Sequence, residues 1–219
     1  MNNCKNQNSF KATNLLIVIN VAVMLLMIVY NLANYGSLSL TEKTLTDFGG
    51  IVPRQSSLMT IISSMFLHAG VFHIVMNMIS LKIFGDDMEA VLGNYYLLLY
   101  FLSGIFSGAA IYFLTNNLTV GASGAICGLW GAKIIHVFRY NFPKSEKVKI
   151  VLDTLFLIGI GFLPFISATG HAVGLASGML MSLGVFIFLD KINAKVNIKT
   201  IHDNEKLIIV EEVYKSRNP

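Results

Sequence analysis

Two short segments of this sequence hold residue types that could do chemistry. Gly121-Ala122-Ser123-Gly124 opens one apolar run and Gly170-His171-Ala172-Val173-Gly174 opens another, so a serine and a histidine each stand at the entrance of a stretch otherwise fit for lipid. Ionisable groups inside a bilayer are expensive and by default mark functional sites. If helix packing brings His171 beside Ser123, the two are the nucleophile and general base of a serine hydrolase: the imidazole takes the Oγ proton as it attacks a carbonyl and returns it to the leaving amine. In a third run His73 and Asn77 stand four residues apart, hence on one helical face. Together with the Ser123 backbone N–H at a helix N-terminus, they are the donors available to a developing oxyanion. No acid completes a triad, because Asp153 and Asp190 fall toward the opposite ends of their segments, so the arrangement is a dyad.

The elements that must position these residues are membrane helices. Over 219 residues the hydrophobic fraction is 54% and the charged fraction 13%, whereas soluble domains carry about 25% charged residues. Six apolar segments can be marked, at 14–34, 69–85, 94–114, 121–138, 150–166 and 170–189. Most approach the roughly 20 residues that a spanning helix needs. The expected fold is an all-α membrane protein, a six-transmembrane-helix bundle with a long first external loop. With both termini inside, the cytoplasmic segments hold Lys5, Lys11, Arg139, Lys144, Lys147, Lys149 and the tail from Lys191, against only Lys43 and Arg54 on the other side. This asymmetry predicts N-in, C-in. At about 1.5 Å per residue, His73 stands ~20 Å above Asp86, Ser123 ~24 Å above Arg139 and His171 ~28 Å above Asp190, all in the outer half of a core roughly 30 Å thick. Gly124, Gly128 and Ala132, and likewise Gly174 and Gly178, form small-residue stripes that let the fourth and sixth helices approach closely.

The remaining sequence divides into a cytoplasmic leader (1–13), the six-helix domain (14–190) and a charged cytoplasmic tail (191–219). A short leader before a compact core is the pattern expected of a bacterial cell-membrane protein. The first segment reads as an uncleaved helix, since no small-residue cleavage site follows it. The net charge of +4 is distributed as membrane-flanking lysines, which fit anionic lipid headgroups rather than nucleic acid. Cys4 and Cys127 offer no disulfide. His68 and His73 are not joined by a carboxylate and no HExxH is present, so neither a metal nor another cofactor is expected. Residues 35–68 are too polar to span, yet Ile61, Ile62, Met65, Phe66 and Leu67 place part of them at the membrane interface. Gly159, Gly161 and Pro164 either soften the fifth helix or kink it by packing. In the tail, Leu207-Ile208-Ile209-Val210 reads as a strand or a docking segment, and His136 and His202 as solvated side chains near the cytoplasm.

Four elements together, Phe66-Leu67-His68-Ala69-Gly70, His73 with Asn77, Gly121-Ala122-Ser123-Gly124-Ala125, and Gly170-His171 with Gly174, resemble the rhomboid intramembrane serine proteases in order and placement, over residues 48–190. The resemblance implies Ser123 as nucleophile, His171 as general base and His73 and Asn77 as oxyanion donors, with His68, Gly121, Gly124, Cys127 and Gly174 in support. It also implies the partners: the lipid bilayer and the transmembrane segments of other proteins, cut near the outer face. Two positions depart from the family pattern. Met59-Thr60 stands where a Trp-Arg pair is usual, with Arg54 further upstream, and Cys127 stands where many bacterial members carry an aromatic residue that stacks on the catalytic histidine. Two other function classes are expected to look different: a pseudoenzyme that holds helices without cutting normally lacks the serine or the histidine, and a transporter favours inverted repeats with helices broken at the midplane. The oligomeric state is not legible.

Overall fold

The first apolar run folds as α1 (Ala12–Tyr35) in a computed structural model that describes residues 11–93, 95–160 and 167–217. Its inward face is Thr13, Leu16, Asn20, Met24, Met27 and Asn31, all buried, while Leu25, Leu26 and Val29 point outward and are exposed. A helix in water buries its apolar stripe; this one hides its polar residues and presents leucine and valine to its surroundings, as a helix in lipid does. Both ends of α1 are pinned. At the start, the Glu89 carboxylate accepts from the backbone of Ala12 (2.7 Å) and Thr13 (3.0 Å) and from Thr13 Oγ1 (2.7 Å), satisfying N–H groups that a helix leaves open and placing negative charge at its positive end. At the other end Asn31 Nδ2 donates to the carbonyls of Ser37 (2.7 Å) and Ser39 (3.0 Å). Its Oδ1 accepts from Thr41 N (3.1 Å) and Thr44 Oγ1 (2.6 Å).

The long connection is thus folded rather than loose. It contains α2 (Glu42–Asp47), capped by the Thr41 side chain, the single turn α3 (Thr60–Ser63) and a 3-10 turn, Ser64–Phe66. An antiparallel bridge, Ile51 to Thr119, joins it to the segment preceding Ser123, with 3.0 Å hydrogen bonds in both directions. Arg54, at φ 60 in the left-handed region, donates to the Phe113 carbonyl at 3.3 Å and to Asn116 Oδ1. The first loop is therefore anchored by Arg54 to the end of the helix Tyr95–Leu114, a different route from the missing Trp-Arg pair.

The remaining helices are α4 (Val71–Leu92), α5 (Tyr95–Leu114), α6 (Ser123–Arg139), α7 (Lys144–Ile160) and α8 (Ala168–Arg217). No strand occurs among the described residues, and each of the six apolar segments coincides wholly or in part with one of these helices. α1, α5 and Ala168–Ile192 are long and apolar enough to cross a membrane; Thr60–Phe66 and α4, bent by 90°, make a fourth such unit together. α6 and α7 have 17 residues each. α6 lies at the centre, packed on α5 and α4, with every residue from Gly124 to Ala132 buried. Trp130 on α6 donates to Thr154 Oγ1 (2.9 Å) and so holds α7. Of the Gly159, Gly161 and Pro164 cluster, only Gly159 lies within the described residues, and it has open space beside it.

The chain forms two units, Met1–Ser182 and Leu183–Pro219. The second holds the C-terminal part of α8, which runs without a break to Arg217. The expectation of a strand at Leu207–Val210 is corrected: these residues are helical, and 191–217 contain neither Gly nor Pro to interrupt a helix. His136 is corrected too, being half-buried with its ring against Tyr140 and Phe142. The side chain of His202, together with Cys4, Lys5, Gly161 and Pro164, lies outside the described residues.

Candidate active site

Backbone contact between α6 and α8 builds the site. A Cβ on Gly174 would stand 2.2 Å from the Gly124 carbonyl oxygen, and one on Gly178 would stand 2.0 Å from that of Gly128. No side chain fits at either place, so the helices touch main chain to main chain, as small residues allow. Ser123 immediately precedes Gly124, and His171 precedes Gly174 by three residues, about one turn. Both residues therefore leave from the same crossing. Ser167 caps α8: its Oγ accepts from Gly170 N (3.2 Å) and its carbonyl from His171 N (3.0 Å). Beside this crossing, Ser107 Oγ lies 2.1 Å from where a Gly124 Cβ would be and 3.1 Å from that of Gly170.

The turn before Ser123 is held by its own backbone. Gly121 has φ 133, a left-handed value that side chains rarely tolerate, and its N–H donates to the Ser64 carbonyl at 2.9 Å. That fold brings Ser123 to the first turn of α6, half-buried, where backbone N–H groups are free. A Cβ on Gly121 would meet His73 Cε1 and Nε2 at 3.0 Å and Ser123 Oγ at 3.8 Å. His73 and Ser123 thus converge on one point. His73 Nδ1 accepts from Ala69 N (3.4 Å), which assigns the ring proton to Nε2, the nitrogen beside Gly121. Asn77 donates through Nδ2 to the His73 carbonyl (2.9 Å), and an amide nitrogen keeps a second hydrogen.

His171 is half-buried, and its Nδ1 is buried without a hydrogen-bond partner. No hydrogen bond joins it to Ser123 Oγ; such bonds are often loose in unliganded enzymes and tighten on substrate. Cys127, one turn below Ser123, is a free thiol only 4% exposed. His68 is fully buried against His73. Ser64, Ser107 and Ser167 were not legible as contributors, although Ser103-Gly104 and Ser107-Gly108 at four-residue spacing on α5 are a small-residue signal of the kind seen on α6.

A half-buried serine at a helix start, a histidine at the start of the helix packed on it and a second histidine ring against Gly121, among apolar helices, define a membrane-embedded hydrolase-like fold. The Rhomboid domain matches residues 55–188, more than half of the chain, and the chain belongs to the rhomboid family. It is an integral membrane protein. It is 37% identical over 128 residues to "RHOMBOID-like protein 6, mitochondrial" of Arabidopsis thaliana, covering 55% of this chain and 41% of that one. It is 36% identical over 129 residues to "Putative rhomboid protease YdcA" of Bacillus subtilis (strain 168), covering 56% and 64%. It is 31% identical over 147 residues to "Inactive RHOMBOID-like protein 8" of Arabidopsis thaliana, covering 63% and 42%. The chain spans less than two thirds of the length of each of these relatives. Several of the similar proteins are from the plant Arabidopsis thaliana, and the expectation of a bacterial membrane draws no support from these.

Proposed function

We propose that this chain is an intramembrane serine endopeptidase with a Ser123–His171 dyad, set in a six-span bundle with both termini inside. The observation that carries the reading is the main-chain contact of Gly124 with Gly174, which makes Ser123 and His171 leave one crossing while His73 Nε2 faces the same point. Ser123 Oγ attacks the scissile carbonyl carbon and passes its proton to His171. The oxyanion is stabilised by the Ser123 N–H, the His73 Nε2–H and the free amide hydrogen of Asn77. Collapse breaks the C–N bond, His171 returns the proton to the leaving amine, and water hydrolyses the ester by the same route. The substrates are transmembrane segments of other proteins, cut near the outer face, where water reaches the site.

A second reading, a pseudoenzyme that holds helices without cutting, is favoured by the relatives whose names call them inactive. A fluorophosphonate probe separates the two. The protease labels on Ser123, and Ser123→Ala and His171→Ala abolish both labelling and cleavage of a transmembrane substrate while leaving the fold intact. Wild-type protein that folds but neither labels nor cleaves sinks the first reading.

A further inference from the structure

The dyad and the oxyanion donors leave the outward face of α7 without a task. Of its described residues only Ile150 is buried, and the helix is fastened to α6 through the packing of Ile150 and the Trp130–Thr154 hydrogen bond. The outward face carries a groove of about 550 Å³, lined by Lys144, Ser145, Val148, Lys149, Leu152 and Asp153. It is graded along the helix. Lys144 and Ser145 stand at the charged start, Val148 and Leu152 follow at four-residue steps on the same face, and Phe156, 71% exposed, comes one turn later. From Lys144 to Phe156 is about 18 Å, the reach from a headgroup into the hydrocarbon of one leaflet, roughly 15 Å deep.

The lysines at this end of the bundle differ in how they are engaged. Lys147 donates to Asn141 Oδ1 (3.0 Å) and lies over the Phe138 ring. On the neighbouring helices Lys82 pairs with Asp86 (2.9 Å) and Lys133 with Asp87 (2.6 Å). Lys144 and Lys149 have no ion pair or hydrogen bond among the described residues. Set against Asp153, these two lysines leave the groove one positive charge in excess, the complement of a single phosphodiester. We propose that the groove binds one anionic phospholipid, its phosphate held by Lys144 and Lys149 and its acyl chains laid along Val148, Leu152 and Phe156. A choline lipid brings its own cation and gains less from the same two lysines. The site is independent of the dyad and rests on the membrane placement of α7 alone.

The test is native mass spectrometry of the full chain in detergent, titrated with phosphatidylglycerol and with phosphatidylcholine of the same acyl chains. Wild type retains one phosphatidylglycerol in preference to phosphatidylcholine. Lys144→Gln and Lys149→Gln each weaken that binding by about 5-fold, the equivalent of ~1 kcal/mol per basic residue at an anionic lipid surface. Lys144→Arg and Lys149→Arg keep it, and so does Lys147→Gln, whose ammonium is already engaged. All five positions are replaced at the surface, and the midpoint of thermal unfolding stays that of the wild type. Inorganic phosphate does not displace the lipid, because the chains carry part of the binding. The proposal is overturned if the two lipids bind alike or if Lys147→Gln weakens binding as much as Lys149→Gln does. Displacement by inorganic phosphate overturns it too, since the groove is then a site for anions and not for a lipid.

Discussion

At the scale of single residues, two glycines carry demands that no other residue meets. Gly121 combines a left-handed φ of 133 with His73 atoms 3.0 Å from its missing Cβ. In Gly121→Ala the backbone strain, about 1–2 kcal/mol, and the push on His73 act together. Cleavage falls at least ~10-fold, while circular dichroism stays that of the wild type. Gly174→Ala places a methyl 2.2 Å from the Gly124 carbonyl and forces α6 and α8 apart. It destabilises the fold by about 1–3 kcal/mol, the usual cost of overpacking, and removes activity. Gly184→Ala, with open space around it, does not lower the midpoint of thermal unfolding, since alanine favours a helix over glycine, which separates the effect of contact from that of composition. The same two positions show why much of the site was readable. A serine or a histidine beside a glycine stripe in apolar sequence carries its own signal. Ser64 and Ser107 do not, because what they do depends on a neighbour 57 residues away for Ser64 and on α6 and α8 for Ser107.

Whole elements are joined by polar contacts between distant parts of the chain. Glu89→Gln keeps the size of the group that caps α1 and removes its charge. The helix start loses its favourable anion, and stability falls by about 0.5–2 kcal/mol in a denaturant titration, with kcat unchanged. Arg54→Ala frees the first loop from the end of α5. Protease nicking within 36–59 rises in that variant while α1 and α4 stay resistant. Of these elements the six apolar runs were legible, since length and hydropathy set them. The anchorage of the loop was not, because Arg54 replaces a familiar pair with a contact seen only in three dimensions. The tail was misread for a related reason: Leu207–Val210 has strand-forming residues, but without a breaker from Lys191 to Arg217 the helix continues.

At the scale of the molecule, α1 is fastened to Glu89 at one end and, through Asn31, to the first loop at the other. That loop is bridged to Thr119 and bonded to Gly121, two residues before Ser123. The 24 residues of α1 measure about 36 Å, a fixed length against a hydrocarbon core of roughly 30 Å. The difference is taken up by tilt or by the bilayer, and either bears on the fastenings of α1. The protein thus links the far end of α1, through the first loop, to the turn that precedes Ser123. Reconstituted in phosphatidylcholines of increasing acyl length, it changes rate with thickness. Asn31→Leu, with the fastening cut, flattens that dependence.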